Sequence, residues 1–253
     1  MRKEFQENLR RFGLLGRNIS YSFSRGYFSR KFEREGINAF YENFDLADIS
    51  ELPKVLEKYP DLRGLNVTIP YKEDILPLLD EIDPIAKRIG AINTVKILDN
   101  GKLQGFNTDY VGFSQAIKPF LRPHHEKALI LGTGGASKAV VFALNNLGII
   151  PISVSRSPES GRLTYEDLDE EILRDHSVII NCTPLGTSPR TEEFPPIPFD
   201  FINDQHLVFD LIYNPSETKL MQLASQKGAS VNNGLKMLEL QAEKSWEHWN
   251  SPA

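Results

Sequence analysis

The sequence is poor in cysteine and has no clustered histidines. Cys182 is the only cysteine among 253 residues, so the chain can form neither an internal disulfide framework nor a thiolate metal cluster. The five histidines are dispersed, with no spacing that suggests a metal-binding face. We therefore expect no metal site and a protein of the reducing cytoplasm.

The sequence also lacks the signatures of membrane and nucleic-acid binding. No run approaches the roughly 18 apolar residues that a membrane helix requires, and residues 1–11 are charged, unlike a secretion signal. The net charge is -5 and charges of both signs are interspersed, which argues against a nucleic-acid surface. With 40% hydrophobic and 25% charged residues, the composition is typical of a globular protein of one large or two ordinary domains.

A glycine-rich stretch organises the second half of the chain. The apolar run 128–131 leads into Gly132, Gly134 and Gly135, and a helical pattern follows. Glycines permit positive φ and close approach of a ligand, and the N–H groups of a helix start attract a pyrophosphate. Because Ser137 stands at the third position of the dinucleotide fingerprint, a plain strand-to-helix turn is the alternative.

The next predicted strand leads to Arg156, 24 residues after Gly132. An acid at this place holds the ribose hydroxyls of NAD, whereas an arginine suits the 2′-phosphate of NADP. The sequence therefore favours NADP over NAD. A solvated surface charge is the alternative for Arg156.

Two groups in the first half could exchange a proton with a substrate hydroxyl. Lys72 follows the end of a predicted strand, and Asp109 follows a predicted hairpin around Asn100-Gly101. A lysine and a carboxylate brought together can act as a general acid–base pair. An exposed surface lysine is the alternative for Lys72.

Hydroxyls and backbone amides offer further binding groups. The stretch Ser20-Tyr-Ser-Phe-Ser24 could bind a carboxylate through its clustered hydroxyls, or cap the helix that follows it. The turn 181–186 has exposed amides that could lie along the nicotinamide side of a bound cofactor. Strands and helices alternate twice over, which predicts two α/β units with parallel sheets.

Together these stretches resemble the shikimate dehydrogenase family over about residues 12–249. Seven motifs occur in the order that the family has. They are Ser22-Phe-Ser24, Asn66-Val-Thr-Ile-Pro-Tyr-Lys72, Gly90-Ala-Ile-Asn-Thr94, Gly105-Phe-Asn-Thr-Asp109, Gly132-Thr-Gly-Gly-Ala136, Asn181-Cys-Thr-Pro-Leu-Gly186 and Asn233-Gly-Leu-Lys-Met-Leu-Glu-Leu-Gln241.

The resemblance implies an α/β fold with two domains and the site in the cleft between them. An N-terminal substrate domain would comprise 1–109 and 237–253, and a C-terminal Rossmann NADP-binding domain would comprise 110–236. The implied reaction is the reversible reduction of 3-dehydroshikimate by NADPH, in the chorismate pathway of aromatic amino-acid biosynthesis. The enzyme would be a cytoplasmic monomer or homodimer.

The resemblance also implies roles for individual residues. Lys72 and Asp109 form the catalytic pair, and Ser22 and Ser24 take the substrate carboxylate. The other implied substrate-binding residues are Thr68, Asn93, Tyr213 and Gln241. The implied cofactor-binding residues are Gly132, Gly134, Gly135, Ala136, Ser155, Arg156, Ser157, Thr183 and Gly234.

Departures from the family pattern keep two alternatives open. Tyr21 stands where the family usually has a histidine, and Ser155 where an asparagine precedes the arginine. One alternative is a quinate or dual shikimate/quinate dehydrogenase that uses NAD. The other is a nucleotide-binding regulator without catalysis, against which the presence of Lys72 and Asp109 argues.

Overall fold

The contacts within the chain divide it into two units. The computed structural model describes residues 9–20 and 22–252, so residues 1–8, Tyr21 and Ala253 lie outside the described part. The first unit runs up to Thr108 and resumes at Gln241, and the second unit is Asp109–Leu240. Within the described residues each unit has a six-stranded sheet with helices, which confirms the predicted α/β class.

The strands and helices are numbered along the chain. The strands are β1 (Arg10–Gly16), β2 (Ala39–Asp45), β3 (Leu62–Val67), β4 (Glu81–Ile82), β5 (Thr94–Ile97), β6 (Leu103–Phe106), β7 (Lys127–Leu131), β8 (Ile150–Ser155), β9 (Arg162–Thr164), β10 (Val178–Asn181), β11 (Leu207–Asp210) and β12 (Ser230–Asn232). The helices are α1 (Phe23–Glu35), α2 (Leu52–Lys58), α3 (Pro84–Ile89), α4 (Asp109–Ile117), α5 (Gly135–Asn146), α6 (Glu170–Asp175), α7 (Lys219–Gln226) and α8 (Leu235–Asn250).

The sheet of the first unit is mixed, with strand order β2-β1-β3-β5-β6-β4. β1 pairs in parallel with β2 and β3, whereas β5 is antiparallel to both β3 and β6. The hairpin predicted around Asn100-Gly101 is confirmed, and Gly101 has a φ of 82°. The expectation of a parallel sheet is wrong for this unit because strands joined by so short a turn must run antiparallel.

Aromatic packing fixes the last part of α8 on the sheet of the first unit. The ring of Trp249 stacks on Phe12 with centroids 4.8 Å apart, and its Nε1 donates to the Val95 carbonyl at 2.9 Å. A Cβ on Gly64 would lie 2.3 Å from Trp249 Nε1, so only glycine leaves room for the indole. This packing sets the position of Gln241, which lies two turns earlier on the same helix.

The sheet of the second unit is parallel throughout, with strand order β12-β11-β10-β7-β8-β9. Numbered within the unit, this order is 3-2-1-4-5-6 read from the other edge, the order typical of dinucleotide-binding folds. The central strands are fully buried, as apolar runs such as 128–131 predict. The order reverses between β7 and β10, where ligands bind beyond the carboxyl ends of such sheets.

The described helices include none that is both long and apolar enough to cross a bilayer.

Candidate active site

The glycine-rich turn leaves β7 at the point where the strand order reverses. Gly132 has a φ of 102°, a conformation that side chains other than glycine rarely adopt, and its N–H donates to the Val154 carbonyl at 3.0 Å. A Cβ on Gly132 would also lie 3.0 Å from Cγ2 of Thr183. The glycine turn and the turn after β10 are therefore close neighbours, as the sheet order requires.

The serine that breaks the fingerprint has a clear structural role. Gly134 precedes α5, and Gly135 and Ala136 are its first two residues. The buried Ser137 hydroxyl donates to the Gly134 carbonyl at 2.6 Å and so closes the turn from inside. Apart from Gly134 and its two chain neighbours, the described residues place no atom within 4 Å of the position that a Gly134 Cβ would take. The N-terminal end of α5 is thus open to an anionic group.

A network of buried polar side chains holds the turn after β10. The Asn181 Oδ1 accepts from the Thr183 N–H at 3.0 Å and from the Thr183 hydroxyl at 2.7 Å. The Asn181 Nδ2 donates to Asp210 Oδ1 at 3.0 Å. The Thr183 side chain is therefore held by Asn181 at the end of β10, and Asn181 is held in turn by Asp210 at the end of β11.

Asp210 is fully buried and accepts from several donors. Thr218 Oγ1 donates to its Oδ2 at 2.7 Å, and the Ile212 N–H donates to its Oδ1 at 3.0 Å. Burial nevertheless raises the pKa of Asp210 to about 6, because desolvation of the carboxylate outweighs these hydrogen bonds. Sequence reasoning missed Asp210, although a carboxylate that ends a buried apolar strand is a usable signal.

The segment after β8 carries the predicted group for the 2′-phosphate. Arg156 and Ser157 are exposed and Ser155 is half-buried. The Ser155 hydroxyl donates to the Ser157 carbonyl, which folds the segment back on itself. Burial raises the pKa of Tyr165, and the nearby positive charge of Arg156 opposes that rise.

Close backbone packing explains Gly234, a predicted cofactor residue. A Cβ at this position would lie 2.1 Å from the Leu211 carbonyl oxygen, and the Gly234 N–H donates to the Ile212 carbonyl at 3.0 Å. Tyr213 lies in the loop that follows β11, where it is half-buried, and burial raises the pKa of its phenol. Any larger residue at Gly234 would displace the backbone next to Tyr213.

The two predicted carboxylate-binding serines have different settings. Ser22 caps α1, because its Oγ accepts from the Arg25 N–H at 3.0 Å, and this confirms the capping alternative for Ser22. Ser24 lies inside α1 and is buried.

Three polar residues of the first unit meet at one point. The buried side chains of Asn93 and Gln241 are joined by a hydrogen bond of 3.3 Å from Asn93 Nδ2 to Gln241 Oε1. Asn93 Nδ2 also donates to Thr108 Oγ1 at 2.9 Å. The structure thus brings the predicted residues Asn93 and Gln241 together. Thr108 belongs to the same group of side chains, and sequence reasoning missed it although it directly precedes Asp109.

Lys72 and Asp109 belong to different units. Lys72 is half-buried in the turn after β3, and its carbonyl accepts from the Ile92 N–H at 2.7 Å. Thr68, in the same turn, donates its N–H to the Leu15 carbonyl at 2.9 Å. Asp109 is the buried first residue of α4. The pairing of Lys72 with Asp109 stays a prediction.

Comparison with known proteins shows similarity along almost the whole chain. A sequence model described as the shikimate dehydrogenase substrate binding domain matches residues 14–95. A shikimate dehydrogenase (NADP(+)) of Clostridium botulinum is 39% identical over 248 residues, which cover 94% of this chain and 95% of that protein. A similar relative in Aquifex aeolicus is 37% identical and covers 94% of this chain and 90% of its own length.

Solved structures give the same result. The shikimate 5-dehydrogenase of Thermus thermophilus, in complex with NADP(H) and shikimate, matches with a TM-score of 0.84 at 33% identity. The match covers 95% of this chain and 93% of that one.

We predict that Asp210→Asn changes how stability depends on pH. The folded-state pKa of about 6 lies above the unfolded value. Asp210 therefore favours folding when protonated, and this contribution is lost as the pH rises through about 4 to 6, at a cost of about 3 kcal/mol. Asp210→Asn has no carboxyl group to ionise. Its unfolding free energy should therefore rise relative to that of wild type as the pH increases over that range. Denaturant unfolding at several pH values measures the difference.

Asp204 is exposed, so Asp204→Asn is the matched control for the loss of one carboxylate. A constant offset between Asp210→Asn and wild type at all pH values would contradict the prediction.

Proposed function

The chain belongs to the shikimate dehydrogenase family, and we propose that it catalyses the reversible, NADP-dependent reduction of 3-dehydroshikimate to shikimate. The predicted enzyme class is confirmed by relatives that carry this activity in their names over nearly the full length of the chain. In the structure, the glycine turn at Gly132 gives the proposal its main support. This turn lies against Thr183, at the point where the order of the parallel strands reverses.

The residues of the second unit fit a dinucleotide. The positive φ of Gly132, the open space at Gly134 and the start of α5 suit a pyrophosphate. The exposed Arg156 suits a 2′-phosphate. When NADPH is bound, it supplies the hydride. We assign NADPH binding to the residues predicted from the sequence. They are Gly132, Gly134, Gly135, Ala136, Ser155, Arg156, Ser157, Thr183 and Gly234.

The residues of the first unit would hold the substrate. The match of residues 14–95 to a substrate-binding domain supports this assignment. Ser22 and Ser24 would bind the carboxylate. Thr68, Asn93 and Gln241 of the first unit would hold the ring hydroxyls or line the site, together with Tyr213 of the second unit. The domain limits that we propose are those predicted above, 1–109 with 237–253 for the substrate and 110–236 for NADP.

Lys72 and Asp109 would carry the proton transfer. Reduction of the carbonyl leaves an oxygen that needs a proton, and a lysine ammonium within hydrogen-bond reach can donate it. The Asp109 carboxylate would orient the Lys72 ammonium. In the reverse direction the same lysine, in its neutral form, would remove the proton from the substrate hydroxyl.

We also propose that the enzyme is cytoplasmic and is either a monomer or a homodimer. The single cysteine supports a cytoplasmic enzyme. A monomer or a homodimer agrees with the family resemblance, and size-exclusion chromatography with light scattering distinguishes the two.

The activity assay follows NADPH absorbance with shikimate or quinate as substrate and NADP or NAD as acceptor. We expect kcat/KM for shikimate with NADP to exceed every other combination by about 10-fold or more, because a site built to bind particular hydroxyls and a 2′-phosphate rejects ligands that do not match. Higher activity with quinate and NAD would favour the quinate alternative. Binding of NADPH without any turnover would favour a regulator.

We predict that Lys72→Ala lowers kcat by about 100-fold or more, because general acid–base catalysis contributes at least that much. NADPH affinity, measured by fluorescence titration, should stay the same. Lys54→Ala, at an exposed lysine on α2, is the control. Turnover near the wild-type rate would exclude the catalytic role of Lys72.

We predict that Arg156→Ala raises the KM for NADP by about 10-fold and changes the KM for NAD by less than about 2-fold, because only NADP loses a charge-assisted hydrogen bond. Arg174→Ala removes an exposed arginine on α6 and is the matched control. An equal effect of Arg156→Ala on both cofactors would contradict the 2′-phosphate assignment.

A further inference from the structure

Asp210 is a buried carboxyl group with no part in the proposed proton transfer. It ends β11 directly beside Asn181, which ends the parallel neighbour β10. Ligands of such sheets bind beyond the carboxyl ends of the strands. Because Asp210 and Asn181 are both fully buried there, an effect of Asp210 on a ligand has to pass through a neighbouring side chain.

Two contacts with the backbone fix the orientation of the Asn181 amide. The Thr183 N–H donates to Asn181 Oδ1 at 3.0 Å, and a backbone N–H only donates. Asn181 Nδ2 faces the Leu185 carbonyl at 3.4 Å, and a carbonyl only accepts. The amide therefore cannot turn over, and the second Nδ2 proton needs an acceptor. Asp210 Oδ1 supplies this acceptor at 3.0 Å.

The two oxygens of Asp210 have different partners. Oδ1 accepts from Asn181 Nδ2 and from the Ile212 N–H, and both of these groups only donate. Oδ2 accepts from the Thr218 hydroxyl at 2.7 Å. The same hydroxyl accepts from the Met221 N–H at 3.3 Å. The position of Oδ1 thus requires an acceptor, whereas the position of Oδ2 suits either an acceptor or a donor, because a hydroxyl can donate and accept.

The contact carried by Asn181 reaches a predicted cofactor residue. The Thr183 hydroxyl donates to Asn181 Oδ1 at 2.7 Å and accepts from the Leu185 N–H at 3.2 Å, so it is engaged inside its own turn. The methyl carbon of Thr183 faces the glycine turn, since a Cβ on Gly132 would lie 3.0 Å from it. Asn181 therefore sets which surface of Thr183 a bound dinucleotide meets.

We propose that Asp210 is a positioning residue of the cofactor site, which acts through Asn181 on Thr183 as a hydrogen-bond acceptor at Oδ1 and not as a charge. This inference rests on the proposed function, because it assumes that NADP binds against Thr183. Buried hydrogen bonds constrain one another, so loss of the Oδ1 acceptor releases the Asn181 amide and with it the Thr183 side chain. A binding group that has to be ordered when the ligand arrives lowers the affinity.

Two substitutions of Asp210 separate the acceptor from the charge. Asp210→Ala removes both oxygens. We expect the Kd for NADPH, measured by fluorescence titration of the full chain, to rise by about 10-fold, which corresponds to about 1.4 kcal/mol and is typical of one buried hydrogen bond. Asp210→Asn keeps an oxygen at the Oδ1 position and turns an amide nitrogen to the Thr218 hydroxyl, which can accept. Its Kd for NADPH should stay within about 2-fold of the wild-type value.

Asn181→Ala tests the same path from its other end. It leaves Asp210 with Ile212 and Thr218 as donors, and it provides an independent test if Asp210→Ala does not fold. We expect the Kd for NADPH to rise by about 10-fold here too. In an Asn181→Ala background, Asp210→Ala should raise the Kd by less than a further factor of about 2, because the path to Thr183 is already broken.

His206→Ala is the matched control, because His206 directly precedes β11 and so lies at the opposite end of the strand that Asp210 ends. His206 is also buried. Its Nδ1 accepts from the Asn203 N–H at 3.1 Å, and its Nε2 donates to the Leu173 carbonyl at 3.0 Å. The variant loses buried hydrogen bonds in the same unit, but its Kd for NADPH should change by less than about 2-fold. Denaturant unfolding verifies that each variant is folded during the titration.

Three results would overturn the inference. One is that Asp210→Asn weakens NADPH binding as much as Asp210→Ala does. Another is that the effects of Asp210→Ala and Asn181→Ala on the Kd are additive. The third is that His206→Ala has the same effect as Asp210→Ala.

The wild-type protein separates the two levels of the proposal. Wild-type protein that neither binds NADPH nor turns over shikimate would refute the proposed function together with the inference. Active wild-type protein, with Asp210→Ala and Asn181→Ala binding NADPH as tightly as wild type, would refute only the positioning role.

Discussion

Polar groups removed from water have to find partners inside the protein, and this requirement shapes the interior of both units. In the first unit it produces the hydrogen bonds that join Asn66 to Asn93 and Asn93 to Gln241. In the second unit it produces the network of Asn181 and Asp210 beneath Thr183. In both units the predicted ligand-binding side chains are held by other polar groups, whose orientation depends in turn on backbone donors and acceptors.

Contacts with the backbone fix which side-chain atoms donate and which accept. A backbone N–H can only donate and a carbonyl can only accept, so one contact with the backbone fixes an amide that could otherwise turn over. The contact of Thr108 N–H with Asn93 Oδ1 and that of Asn66 Nδ2 with the Asn93 carbonyl are of this kind. They fix which atoms of the Asn66 and Asn93 side chains face each neighbour before any substrate arrives, and such preorganisation reduces the entropic cost of binding.

Local sequence was sufficient for the features that depend on neighbours in the chain. The glycine turn, the hairpin around Asn100-Gly101, the cap at Ser22 and the α/β class all follow from short patterns, and the seven ordered motifs were sufficient for the family. The mixed sheet of the first unit was not predicted as such, although its antiparallel pair is the predicted hairpin.

These short sequence patterns did not predict contacts between residues that are far apart in the sequence. Asn66 and Ser245 are 179 positions apart and meet only because α8 packs on the sheet of the first unit. The role of Ser137 was also hidden, because the fingerprint describes residue size, whereas the hydroxyl acts through a hydrogen bond to Gly134. The spacing of Gln241 and Ser245, four residues apart on one helix, was a local signal that the two lie on the same face of that helix.

The division of α8 between the units has a consequence for biosynthesis. The second unit is one continuous stretch, whereas the first unit needs the residues from Gln241 onward, including Trp249 against Phe12. During synthesis the first strands therefore leave the ribosome long before the helix that covers them. The second unit can complete its core first, and until α8 has left the ribosome the apolar face around Phe12 stays without part of its cover. The apolar surface of the first half of the chain is thus the surface that waits longest for its cover during translation.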